Sequence, residues 1–367
     1  MRITRPFLHQ SIRRFGDLVI FVGIAVVASM YVVPPLFAQT AREPVNGEGS
    51  KTWNVPRTAW GDPDLQGLWP SSDMQGTPYE RPENFGTRAV LTDQELAARE
   101  TQTARQAEVD SETTVNTQRA PRGTGTGPPS HWGERGKPSR QASLIVDPPD
   151  GRFPPMTAEG ERRSKEAYST YFLDFPDAVT AHPFNDFSDL GPYDRCITRG
   201  LLASILPTAY NMGNQIIQLP GFVVIRNEMI HETRVIPLDN RPNVGAKIRQ
   251  YLGDSRGHWE GTTLVIETTN FNGKVGITRN GNTLPTSQEL RVVERFTRVD
   301  PTTLQYEATV TDPKTWTRPW KVSLPLKLHP EYQFFEYACH EGNYAMKHIL
   351  SGARADEKSE TGNQGVQ

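Results

Sequence analysis

The sequence predicts an all-β fold, an antiparallel up-and-down barrel of lipocalin-like type or a sandwich, entered through a long irregular N-terminal arm with one or two short helices. Three observations carry this. Beyond Leu190, seven to nine short runs of β-branched and aromatic residues recur between turn signals. Along 304–310 apolar Leu304, Tyr306, Ala308 and Val310 alternate with Gln305, Glu307 and Thr309, the period of a half-buried strand. Gly67-Leu68-Trp69 matches the short G-x-W signature that opens lipocalin barrels, where the tryptophan closes one end; Gly257-His258-Trp259 matches it too.

The elements follow in order. Leu91 to Val109 reads as a helix of good helix formers, with Thr92 and Glu95 spaced as a capping box. Thr113 to Arg140 has Gly, Pro and Thr without periodicity and reads as a loop. Glu159 to Tyr171 suits a second short helix. Gln215–Leu219 and Phe222–Asn227 flank Pro220-Gly221 as a hairpin, and His231 to Leu238 continues as a strand. Gly253 to Gly261 reads as a glycine-bounded polar turn feeding a strand over Thr263–Phe271. Leu290–Val299 and Leu304–Thr311 form a hairpin about Asp300-Pro301-Thr302-Thr303, and Trp320–Leu328 and Gln333–Tyr337 add two strands. The domain reading is therefore 1–38 leader, 39–140 arm, 141–355 β-rich domain and 356–367 disordered tail.

The leader rests on Arg2, Arg5, Arg13 and Arg14 ahead of an apolar run from Leu18 to Val33, then Pro34-Pro35 and a small Ala38. That run is short for a membrane span, which takes about 20 residues, so the expectation is export to the periplasm or beyond, with a retained anchor as the alternative and no stable span once the leader is cleaved. The formal charge of the 367-residue chain is −2. The leader's four arginines less Asp17 contribute +3, leaving the remainder near −5, and no basic block offers a nucleic-acid footprint. In an oxidising compartment the two cysteines, Cys196 and Cys339, are expected to form a disulfide; a buried free pair or a reactive thiol is the alternative.

Several stretches together resemble an uncharacterised family of exported bacterial proteins: GDPDLQGLW at 61–69, YDRCITRG at 193–200, IPLDNRP at 236–242, GDSRGHWEGTTLVIETTNF at 253–271, TWTRPW at 315–320 and FEYACHEGNY at 335–344. The resemblance implies export and a β-rich fold and brings no activity with it. Thr262 stands where the family pattern has an Asp after Trp-Glu-Gly, which weakens a carboxylate role at that turn.

Two clusters carry candidate chemistry. His340 and Glu341 follow Cys339, with Tyr337 nearby, and a disulfide would bring Arg195 and Arg199 beside them. Such a set can bind an anion and move a proton, or serve only to satisfy backbone groups at a strand end. In the second, His258 and Glu260 share one face of an extended chain, suiting acid–base work or an exposed salt bridge, while Asp254 and Arg256 form a bidentate pair or a plain turn. His231 is a third strand-region histidine and a further ligand-binding candidate. Glu294, between Val292 and Phe296, faces inward or lies on a polar edge. Gly253-Asp254-Ser255-Arg256-Gly257 spells G-x-S-x-G but lacks the strand–turn–helix context of a nucleophile elbow, and no H-E-x-x-H or C-x-x-C occurs, so no serine nucleophile, metal or cofactor is assigned. The expected function is to bind a small, largely apolar molecule in a barrel pocket with a polar mouth. The alternatives are a hydrolase or lyase using these His and Glu groups, and an envelope structural or partner-binding protein.

Overall fold

The computed structural model describes residues 53–111, 130–166, 184–277 and 284–364; the leader, 1–38, lies outside them. In chain order the elements are β1 (Gly67–Leu68), α1 (Asp93–Ser111), β2 (Ile145–Asp147), α2 (Ala158–Glu166), β3 (Asn214–Leu219), β4 (Phe222–Asn227), β5 (Thr233–Pro237), β6 (Asp254–Glu260), β7 (Thr263–Thr269), β8 (Arg291–Asp300), β9 (Thr303–Thr311), β10 (Trp320–Lys327) and α3 (Ala345–Gln364). The strands form two antiparallel sheets, one ordered β1-β3-β4-β5 and the other β2-β10-β9-β8-β7-β6. From β6 to β10 the chain runs as a simple meander, the up-and-down order read from the sequence. No ladder joins the two sheets into a closed barrel among the described residues.

The strands of the β8–β10 meander are set by their alternation. Leu304, Tyr306, Ala308 and Val310 of β9 are buried, as are Val292, Glu294 and Phe296 of β8 and Trp320, Val322, Leu324 and Leu326 of β10. Burying one such apolar side chain is worth roughly 1.5–3 kcal/mol, so a register slip of one residue would forfeit a whole face. In the β3–β4 hairpin, Gly221 takes the left-handed conformation (φ 77°) that the tight turn needs. The sheets meet where β5 approaches β6: a Cβ on Gly257 would lie 2.7 Å from Leu238 Cδ2 and 2.9 Å from Ile236 Cγ2, so any larger residue would push these side chains back.

One core lies between the sheets. Trp69, Ile225, Ile236, Leu264, Phe296 and Tyr306 share it, together with a buried ion pair between Arg234 and Glu294. Leu65, Trp69 and Met74 of the N-terminal arm belong to it, and β1 pairs with β3. The G-x-W tryptophan is fully buried, donates from Nε1 to Leu65 O at 2.9 Å, and lies under Arg298 at 5.4 Å.

Four sequence readings are corrected. Residues 254–260 are not a turn but β6, paired residue by residue with β7, and the turn is confined to Gly261 and Thr262. Residues 333–337 run without a ladder and form no strand. His231 precedes β5, in a 3-10 turn over Met229–His231. Helix α3 occupies 345–364, a stretch read as the domain's end and a disordered tail. The capping box holds: Glu95 N donates to Thr92 Oγ1 and Thr92 N to Glu95 Oε2. No helix among the described residues is long and apolar enough to cross a membrane.

Candidate functional site

Cys196 and Cys339 form a disulfide with Cα atoms 5.7 Å apart. Cys196 adopts φ 55°, turning the chain sharply between Tyr193 and Arg199. The bridge pins the segment after β10 onto this turn. Tyr337 then lies with its hydroxyl 3.1 Å from that of Tyr193 and its ring stacked on Tyr210, centroids 6.4 Å apart and planes 17° apart. Tyr193, Tyr210, Met229 and Ile230 form a small buried cluster against which Tyr337 packs. His231 Nδ1 stands 3.1 Å from the Tyr337 carbonyl, which can only accept, so Nδ1 is the donor.

Arg199 lies three residues beyond Cys196. It is 2% exposed, and its Nε and Nη1 have no hydrogen-bond partner. Burial lowers its pKa, opposed by the phenols of Tyr193, Tyr79, Tyr210 and Tyr337, and its backbone N donates to the Glu232 carboxylate. A buried guanidinium without a counter-charge is costly, several kcal/mol by the usual reckoning. Of the side chains proposed from sequence, Arg199 leaves two buried nitrogens unsatisfied and Arg195 one, its Nε.

A second buried polar group, the same Glu232 carboxylate, lies beside Arg199 in space. Glu232 is 7% exposed and accepts from Ser204 Oγ at 2.6 Å and from the Thr198 hydroxyl. Burial raises its pKa against the pull of those donors. A third anchors the segment before Tyr337. The Tyr332 hydroxyl lies 2.6 Å from Glu228 Oε2 and 2.9 Å from Glu134 Oε2. Phe335 N donates to Glu228 Oε1, and Asn211 N and Met212 N donate to Glu134. Burial raises the Glu134 carboxyl against those hydrogen bonds.

The other candidates fall elsewhere. His258 Nε2 and Glu260 Oε1 are 3.2 Å apart, and Glu260 also pairs with Arg295 at 2.8 Å; both side chains are about half exposed, on the outer face of the β6–β7–β8 region. His258 and Glu260 thus form an exposed hydrogen bond, and Glu260 with Arg295 an exposed salt bridge. Arg256 meets Asp254 through one contact, Nη1 to Oδ1 at 2.6 Å, so the pair is not bidentate. Asp254 instead accepts from Asn243 Nδ2 and Val244 N, and Arg256 donates to Pro242 O, fastening the 242–244 loop to β6. His340 and Glu341 are exposed in the turn after Cys339. No hydrogen bond or ion pair among the described residues joins 253–261 to 337–341. Arg195 lies against Phe187, its guanidinium carbon 5.9 Å from the ring centroid. Among the described residues no three His, Cys, Asp or Glu side chains stand together as a metal site. A separate apolar cleft beside Gly200, between Leu202, Tyr251, Phe271, Val275 and Leu290, has a volume of about 20 Å³, room for a water-sized group.

The tyrosines at 79, 193 and 210 and the Glu134–Tyr332–Glu228 group were not read from the sequence. Tyr193 was within reach, since it flanks one cysteine as Tyr337 flanks the other. Glu134 lies in a loop without a pattern, and nothing local marks it. No family model matches the chain, and comparison with curated proteins and with solved structures finds no match either.

Proposed function

We propose that this chain is an exported binding protein for a small organic anion, held through its negative group at Arg199 and against tyrosine rings. The observation that carries the reading is the buried Arg199 guanidinium, whose Nε and Nη1 have no hydrogen-bond partner. A carboxylate or phosphate oxygen supplies the missing charge and acceptors together. Four phenol rings favour a flat, largely apolar body on that anion. Export is supported by the leader pattern and by the disulfide, a bond of oxidising compartments.

This moves the ligand away from the expected barrel interior. The space between the sheets is occupied by Trp69, Phe296, Tyr306 and the Arg234–Glu294 pair. A hydrolase or lyase built on His258, Glu260, His340 and Glu341 finds less support, because these exposed groups do not converge. Calorimetric titration of the oxidised chain with acetate, benzoate and inorganic phosphate tests the reading. Saturable binding of benzoate is expected; no heat with any of the three anions overturns it.

A further inference from the structure

The residues that wall Arg199 do not all belong to rigid elements. Tyr337 lies on residues 329–344, which leave β10 and run to α3 without a strand ladder. Several contacts fasten this segment, first the Tyr332–Glu228 group, then the His231–Tyr337 carbonyl hydrogen bond, the Tyr193–Tyr337 hydroxyl contact and the disulfide. Between them Phe335, Glu336 and Ala338 are exposed, so the segment lies on the surface as a strap. Arg199, at 2% exposure, is not open to an anion from solvent in this arrangement.

The first fastening depends on a proton. Tyr332 has one hydroxyl hydrogen and two carboxylate oxygens within 2.9 Å. One hydroxyl hydrogen serves two full-strength bonds only poorly, whereas a proton on Glu134 lets Glu134 donate to the Tyr332 oxygen while Tyr332 donates to Glu228. If Glu134 loses its proton, two carboxylates face one donor and repel each other. We propose that residues 329–344 form a strap over Arg199, latched by the proton shared among Glu134, Tyr332 and Glu228 and released when Glu134 deprotonates.

The charged surroundings leave the two carboxylates without a close cation. Asn211 on the 209–213 loop bonds both through neutral groups, its N to Glu134 and its Nδ2 to Glu228. Arg135, the next residue on the Glu134 loop, is taken by Asp110 at 2.6 Å. Arg226 of β4 lies over the Phe334 ring at 4.7 Å. At the start of the strap His329 pairs with Asp73 at 3.4 Å, and on the far side His231 bonds the Tyr337 carbonyl. Because burial raises Glu134, the latch is fully present below the ordinary carboxyl value of 4.5 and is lost as pH rises through the raised value. The strap is thus closed in acid and loosened toward neutral pH. The proposal rests on the Arg199 reading only for what the strap guards.

Hydrogen exchange of the full oxidised chain, expressed as protection factors for 329–344, tests the latch without any ligand. From about pH 5 to about pH 8, protection is expected to fall ~tenfold or more in the native chain. It should stay high and flat in Glu134→Gln and low throughout in Tyr332→Phe. A flat native profile, or Glu134→Gln following the native curve, overturns the latch. Arginine modification by phenylglyoxal, read by peptide mass as Arg199 relative to exposed Arg318, tests what is guarded. The ratio should rise with pH in the native chain and not in Glu134→Gln; a constant ratio despite a loosening strap overturns the gate. Neither readout depends on whether benzoate binds, so failure of the binding reading is seen separately by calorimetry.

Discussion

Arg234 of β5 and Glu294 of β8 meet in a two-pronged ion pair, Nη1 to Oε2 at 2.6 Å and Nη2 to Oε1 at 2.9 Å, inside the core that the two sheets share. The Tyr306 hydroxyl donates to the same carboxylate at 3.0 Å. The two ions are 4% and 0% exposed. Removing one partner strands the other in a low-dielectric interior, so Glu294→Ala is expected to lower unfolding free energy by about 3–5 kcal/mol. Replacing both, as Arg234→Met with Glu294→Leu, should cost far less or nothing. Urea unfolding of the three chains checks this; equal losses in the single and double variants would contradict it.

A second expectation concerns Glu232. Burial holds its carboxyl above the ordinary value of 4.5 although Ser204 and Thr198 donate to it. The raised direction means that its contribution is complete below that ordinary value and is lost as pH rises through the raised one. Glu232→Gln should therefore flatten the decline in stability on the alkaline side of that window, measured by chemical unfolding across pH. A variant whose profile parallels the native one would remove Glu232 from the explanation.

The disulfide should carry both stability and the site. It closes a loop with a sequence separation of 143, worth about 5 kcal/mol in the chain-entropy treatment, which is one of two competing accounts. Cys339→Ser is expected to lower the melting temperature and to raise exchange across 329–344. Intact mass before and after reduction should show both thiols blocked from alkylation until reductant is added.

How far the sequence was legible depended on whether a segment's surroundings were local. β9 could be read because Leu304, Tyr306, Ala308 and Val310 mark a buried face by themselves. β6 could not, since Asp254, Arg256, His258 and Glu260 alternate with Ser255, Gly257 and Trp259 in no apolar period. What makes it a strand is the register with β7 and the packing of Ile236 and Leu238 against Gly257. Helix α3 was missed because 345–364 has no sustained apolar stripe, with Ile349 and Leu350 the chief exceptions. In the site, the disulfide, Arg199 and Tyr337 were within reach of compartment and spacing arguments. Glu134, Glu228 and Tyr332 come from three distant segments, and only the fold brings their oxygens together.

The most direct measurement replaces Arg199 by methionine and follows stability and benzoate affinity in the same chain. A guanidinium whose partner is a ligand gives nothing to the empty fold, so Arg199→Met should leave unfolding free energy equal or higher. It should also abolish benzoate binding, a loss of at least about 2 kcal/mol for a charge-assisted contact. Unchanged benzoate affinity in Arg199→Met, together with a drop in stability of several kcal/mol, would contradict the anion site and make Arg199 a structural cation.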